Sequence, residues 1–135
     1  MTRLVYVQAN GSLYAVPDDV AAAAADPGML IGVGYAGHGA GFNNPAMQNV
    51  QDVGPLPQGS YTIGDPHDNM HTGPFTLDLG PDATDQMFGR FAFRIHGDNP
   101  EMNHTASDGC IIAAPAIRHD IVNRGLTRLE VVAGD

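Results

Sequence analysis

The chain has 135 residues, a formal net charge of −9 from 6 Lys and Arg against 15 Asp and Glu, and 1 cysteine. That length predicts one domain, residues 1–135, with a single core. The acidic balance and the lack of any Lys/Arg cluster argue against nucleic acid as a partner, and one cysteine excludes an intramolecular disulfide. With 17 glycines and 10 prolines, turns and loops should dominate over long helices. No apolar run is long enough to span a bilayer, and Met1-Thr2-Arg3-Leu4 leads into a strand in place of a secretory hydrophobic region. The chain is therefore expected to be made in the cytoplasm without a signal peptide.

Leu4–Gln8 and Ser12–Val16 flank Asn10-Gly11, a dipeptide that closes tight hairpins. Pro17-Asp18-Asp19 opens a predicted short helix near residues 18–25, ended by Asp26-Pro27-Gly28. Met29–Tyr35 reads as a buried strand. Gly37, Gly39 and Gly41 then make a turn into Phe42-Asn43-Asn44-Pro45, without the Lys-Ser/Thr of a phosphate-binding loop. Gly54-Pro55-Leu56-Pro57-Gln58-Gly59 is a rigid structural turn into a strand over Ser60–Ile63. His67 and His71 are four apart, but Pro66, Gly73 and Pro74 predict a loop there and no further ligand motif completes a zinc set. No metal or other cofactor is predicted.

Phe75–Leu79 alternates as a strand and residues 80–86 form a polar loop. A second alternating strand places Phe91, Phe93 and Ile95 on one side and Ala92, Arg94 and His96 on the other, and Gly97 with Asp98-Asn99-Pro100 ends it. After the cysteine, Pro115 starts a helix with Ile117, Ile121 and Val122 as its apolar stripe, ending at Asn123-Arg124-Gly125 and packing behind Cys110. Leu126–Val132 closes the domain as a strand.

The candidate chemistry lies in Arg94–Cys110. A lone thiol after Ser107-Asp108-Gly109, with His96 at a strand end upstream, has the parts of nucleophilic catalysis: thiol, base and nearby backbone donors. His96 is the expected base; His104, six residues before the cysteine, has no strand to hold it. The competing reading is a buried structural cysteine beside Ile111 and Ile112. The polar turn and the strand-end histidine favour the nucleophile.

A strand ending in Ile95-His96-Gly97 followed by Ser107-Asp108-Gly109-Cys110 resembles the catalytic motif of the L,D-transpeptidases, bacterial cell-wall enzymes with a cysteine nucleophile. Residues Gly34–Gly39, Asn43-Asn44-Pro45, Gly54–Gly59 and Gly109–Ile112, in that order, resemble more closely the L,D-transpeptidase-like effectors of type VI secretion. Asp108 stands where typical members carry a second histidine, and Ile112 where an Arg or Asn is common.

The resemblance implies a mainly β (β-rich α+β) catalytic domain acting on peptidoglycan tetrapeptide stems. It implies L,D-carboxypeptidase or D-amino-acid exchange activity through a thioester, and work in the periplasm of a target bacterium. It also implies an immunity protein and a secretion-system component as partners. Cys110 would be nucleophile and His96 base, with the amides of Gly109 and Cys110 as oxyanion donors and Ser107 orienting the loop or serving only as a turn hydroxyl. Tyr35 and Asn44 would frame the substrate groove, though Tyr35 also fits a plain strand position. Arg94 would bind a substrate carboxylate or form an ordinary surface ion pair. The rival classes are a papain-like thiol peptidase or amidase and a non-catalytic wall-binding module.

Overall fold

The computed structural model describes residues 2–17, 28–98 and 107–134. Ten strands form one mixed sheet in the order β3-β2-β1-β10-β5-β7-β8-β9-β4, with β6 pairing on β7. The strands are β1 (Thr2–Val7), β2 (Ser12–Pro17), β3 (Met29–Val33), β4 (Tyr35–Ala36), β5 (Gly59–Ile63), β6 (His67–Asn69), β7 (Gly73–Pro81), β8 (Arg94–His96), β9 (Ile111–Ile112) and β10 (Arg128–Val132). The α-helix among the described residues is α1 (Pro115–Asn123). The chain adopts the mainly β fold that the resemblance implies, and turns dominate over helices as the composition predicts. The helix expected near residues 18–25 lies outside the described residues.

Strands β3 and β4 stand at opposite ends of the sheet order, yet only Gly34 separates them in the chain. The sheet therefore curls until its two edges meet. Gly34 is the residue that permits this: a Cβ there would lie 2.0 Å from the Ile112 carbonyl oxygen, while its own N–H donates to Gly11 O at 2.8 Å. Inside the curl, Leu4, Tyr6, Leu13, Leu56, Tyr61, Leu77, Ile95, Ile111, Ile121 and Leu129 are fully buried in one cluster. Burial of this kind contributes about 1.5–3 kcal/mol per large side chain before entropy is counted.

The β1–β2 hairpin forms as expected, with Tyr6 opposite Leu13 and Arg3 opposite Val16. Its connection is the longer loop 8–11 and not a two-residue turn, because β10 runs parallel beside β1 and takes the next amides: Gln8 N–H and Ala9 N–H donate to Val132 O and Ala133 O at 2.8 and 3.0 Å. Three other expectations need correction. The stretch from Met29 is not buried: β3 has one sheet neighbour, and Met29, Leu30 and Val33 are each more than half exposed, while Tyr35 and Ala36 turn inward. The strand expected from Phe91 begins only at Arg94, because Ala92 takes φ 64°, leaving Phe91 77% exposed although Phe93 and Ile95 are core residues. Helix α1 forms where expected, with Ile121 buried, but it packs against β3 and β7 and not directly behind the cysteine. It is anchored by Arg118, buried, whose guanidinium donates to the carbonyls of Ala113, Pro74 and Phe75.

Candidate functional site

Strands β8 and β9 run parallel, with Ile95 paired to Ile111 and His96 to Ile112. Continuing that register one residue back sets Cys110 beside Arg94, with His96 two residues further along the same face. Ordinary strand spacing and rise then separate the Cys110 and His96 Cα atoms by roughly 8 Å, within reach of a thiol and an imidazole. Both side chains line one cavity of about 350 Å³, together with Arg90, Arg94, Asp52, Asp108, His71, Thr72 and Phe91.

His96 is buried, and its Nδ1 lies 2.9 Å from the Gly97 carbonyl oxygen. A carbonyl only accepts, so Nδ1 carries the proton and Nε2 keeps its lone pair for a proton from elsewhere. Burial lowers the imidazole's affinity for a second proton, the Gly97 carbonyl raises it, and the charges of Arg118 and Arg94 add to the lowering. Burial likewise pushes the Cys110 thiol up. The Arg94 backbone N–H directed at the sulfur and the guanidinium charges of Arg94 and Arg90 act in the opposite sense, while Asp108 adds to the rise. The thiol itself donates weakly to Ala92 O at 3.7 Å. Both burial effects favour the uncharged form, the thiol of Cys110 and the neutral imidazole of His96.

The turn that presents the cysteine is held from inside. Ser107, fully buried, donates to Cys110 O at 2.6 Å and accepts from Gly37 N–H and Gly109 N–H at 2.9 and 3.0 Å. Its hydroxyl is thus a fixed hub of the turn. The same bonds correct one expectation: the Gly109 amide is engaged by Ser107 and is not a free oxyanion donor. The Cys110 N–H, which no described residue accepts, is the donor that stays available. His38 Nδ1 donates to Ser107 O at 2.8 Å and lies 3.7 Å from Asp108 Oδ1. A histidine thus reaches the Ser-Asp-Gly turn from residue 38, where position 108 itself holds an aspartate.

Arg94 forms an ion pair, Nε to Asp78 Oδ1 at 3.0 Å, directly across the β7–β8 register, while still lining the cavity. His67 Nε2 meets the other carboxylate oxygen of Asp78 at 3.0 Å, so this histidine belongs to β6 and a side-chain chain leading to Arg94. Tyr35 does not face the cysteine. It lines a neighbouring cavity of about 730 Å³ with Phe42, Pro74, Asp98 and Arg118, and its hydroxyl donates to Asp98 Oδ1 at 2.8 Å. Thr72 borders both cavities. Asn44 lines neither: its Oδ1 caps the short 3-10 turn Pro45–Met47 by accepting from Ala46 N–H, and its Nδ2 donates to Ala40 O. Asn44 is a turn former here and not a groove wall. His104 lies outside the described residues.

Arg90 is a residue that no local sequence pattern marks. It is buried, and its guanidinium donates to four carbonyls: Gln48 at 2.6 Å, Pro55 at 2.7 Å, Gly54 at 2.9 Å and Asp108 at 3.1 Å. A single arginine in a loop carries no local pattern; only its burial reveals it.

A curled mixed sheet that brings one thiol and one imidazole to a shared cavity defines a β-rich domain with a candidate cysteine–histidine site. A family model of the Tlde1 domain matches residues 32–133, most of the chain, and the protein belongs to this family of type VI secretion effectors. No curated protein and no solved structure matches it.

Proposed function

We propose that the protein is a cysteine-dependent peptidoglycan-modifying enzyme acting on tetrapeptide stems, as L,D-carboxypeptidase, D-amino-acid exchange enzyme or both. The observation that carries this reading is the pairing of Cys110 with a His96 whose Nδ1 is fixed on Gly97 O, both facing one cavity. His96 Nε2 takes the thiol proton as sulfur attacks the carbonyl of the third stem residue. The Cys110 amide stabilises the oxyanion, a contribution of about 3–4 kcal/mol for a well-placed donor. His96 then returns the proton to the departing D-alanine nitrogen, leaving a thioester. Water resolves the thioester to a tripeptide; a D-amino acid resolves it to an exchanged stem. Arg94, on the cavity wall, is positioned to meet a substrate carboxylate, and Tyr35 to line the path of the stem beyond it. Ser107 orients the turn.

Membership in a type VI effector family supports delivery into a target bacterium, action in its periplasm, and partners in an immunity protein and a secretion-system component. The reading is tested by mass analysis of muropeptides before and after incubation with the protein. Tetrapeptide stems should lose their terminal D-alanine or exchange it, pentapeptide stems should be spared, and Cys110→Ala should be inactive. Cleavage of glycan strands or of the sugar–peptide bond would refute it.

A further inference from the structure

Three separate backbone segments converge on Arg90: the Gln48 carbonyl, the Gly54-Pro55 carbonyls, and the Asp108 carbonyl of the cysteine turn. The guanidinium also sits over the Phe93 ring at 5.5 Å. Every one of these partners is neutral. Among the described residues no carboxylate lies within ion-pair distance of Arg90, so a nearly buried cation is compensated chiefly by these dipoles, with the charge of Asp52 acting from further away. Such an arrangement is costly unless an anion comes to it. The approach to the cysteine turn is tight: Gly109 takes φ +138°, and a Cβ there would lie 2.4 Å from Arg90 Nη2. The next residue is Cys110, and Arg90 and Cys110 share the cavity wall.

We propose that Arg90 is a positioning residue for Cys110: it ties the cysteine turn to the 48–55 loop and holds a buried positive charge that the thiolate, once formed, complements. This role rests on the thiol chemistry proposed above but not on the identity of the amide that is cleaved. It explains how a thiol in a half-buried cavity can ionise toward a histidine that itself resists a second proton. As His96 takes the proton, the sulfur's new charge faces Arg94 and Arg90 on the wall, with Asp108 opposing, Asp52 favouring the Arg90 charge and His71 at the rim. Of the two arginines, Arg94 is ion-paired with Asp78, whereas Arg90 has no carboxylate within ion-pair distance among the described residues.

The test is the pH dependence of Cys110 alkylation by iodoacetamide in the full chain, with Arg90→Gln and Arg90→Lys. Arg90→Gln keeps donors but loses the charge, and its alkylation at neutral pH should fall about tenfold through a midpoint raised by about one pH unit. Arg90→Lys keeps the charge, and its midpoint should stay near that of the wild type. A purely structural Arg90 would lower the melting temperature in both variants and move the midpoint in neither, which would overturn the proposal. Should Arg90→Gln fail to fold, side-chain NMR of the wild type decides: the Arg90 Nε–H resonance should titrate with Cys110 and lose that titration in Cys110→Ala, and a resonance indifferent to the thiol refutes the role. If the midpoint moves as expected while tetrapeptide stems remain intact, the stem-peptide reading fails and the role of Arg90 stands.

Discussion

At the scale of single residues, the site depends on a division between atoms that hold the turn and atoms left for chemistry. Ser107 uses its one hydrogen on Cys110 O and its lone pairs on the Gly37 and Gly109 amides, so the backbone before the thiol is fixed without using the Cys110 N–H. His96 shows the same division within one ring, Nδ1 bonded and Nε2 without a partner among the described residues. In the proposed mechanism the pair acts while it holds one proton between thiol and imidazole, so its two pH limits belong to the pair and not to either residue alone. Burial lowers His96 from its ordinary 6.5 and raises Cys110 from its ordinary 9.0, which pushes the limits apart. We expect kcat/KM on tetrapeptide to hold a broad plateau through neutrality and to fall on the acid side only below pH 6.5. The sign for stability agrees: the unfolded chain binds the His96 proton more readily, so this group's contribution to stability declines as pH drops through 6.5. An acid limb at or above that pH would exclude a buried neutral His96 as the base.

Among the elements, those with a local pattern were legible in the sequence. The β1–β2 hairpin, β7, α1 and β10 all lie where alternation, Asn10-Gly11, Pro115 and Gly125 place them. The failures have tertiary causes. Apolar β3 is exposed because it has one sheet neighbour, a fact set by strand order, and the alternation through Phe91 breaks at the positive φ of Ala92. The cysteine and its histidine were legible because strand end and turn are local signals. The engaged Gly109 amide and the turn-capping Asn44 rest on local bonds, to Ser107 and to Ala46 and Ala40, that the resemblance passed over; the buried Arg90 was not legible, since it depends on which distant backbone comes near. Closure of the sheet at Gly34 is of this second kind, and it bears on the site because Ile112, whose carbonyl crowds Gly34, lies two residues from Cys110. Gly34→Ala should cost about 3 kcal/mol, since the opposing atom is backbone and cannot turn aside. Gly80→Ala, with nothing within 4 Å of the added methyl, is the matched control and should be nearly neutral. Denaturant midpoints check both, and equal midpoints would show that the sheet edges are not in contact at Gly34.

For the whole molecule, family and chemistry together point to a compartment. The proposed substrate, the stem peptide, lies outside the cytoplasmic membrane, and the Tlde1 family consists of effectors that a secretion system delivers. Location, and not abundance, should therefore decide whether the protein harms a bacterium. The net charge of −9 favours no general electrostatic retention by an anionic wall. Expression in a susceptible Gram-negative host without an added secretory signal should be harmless, whereas fusion to such a signal should cause swelling and lysis. Cys110→Ala in the exported form should remove the effect while being produced to the same level, because a thiol-to-methyl change removes the nucleophile at little cost in volume. Microscopy and growth curves of the four strains read the result. Toxicity equal in both compartments, or persisting in the exported cysteine variant, would show that the target is not the wall or that the thiol does not act on it.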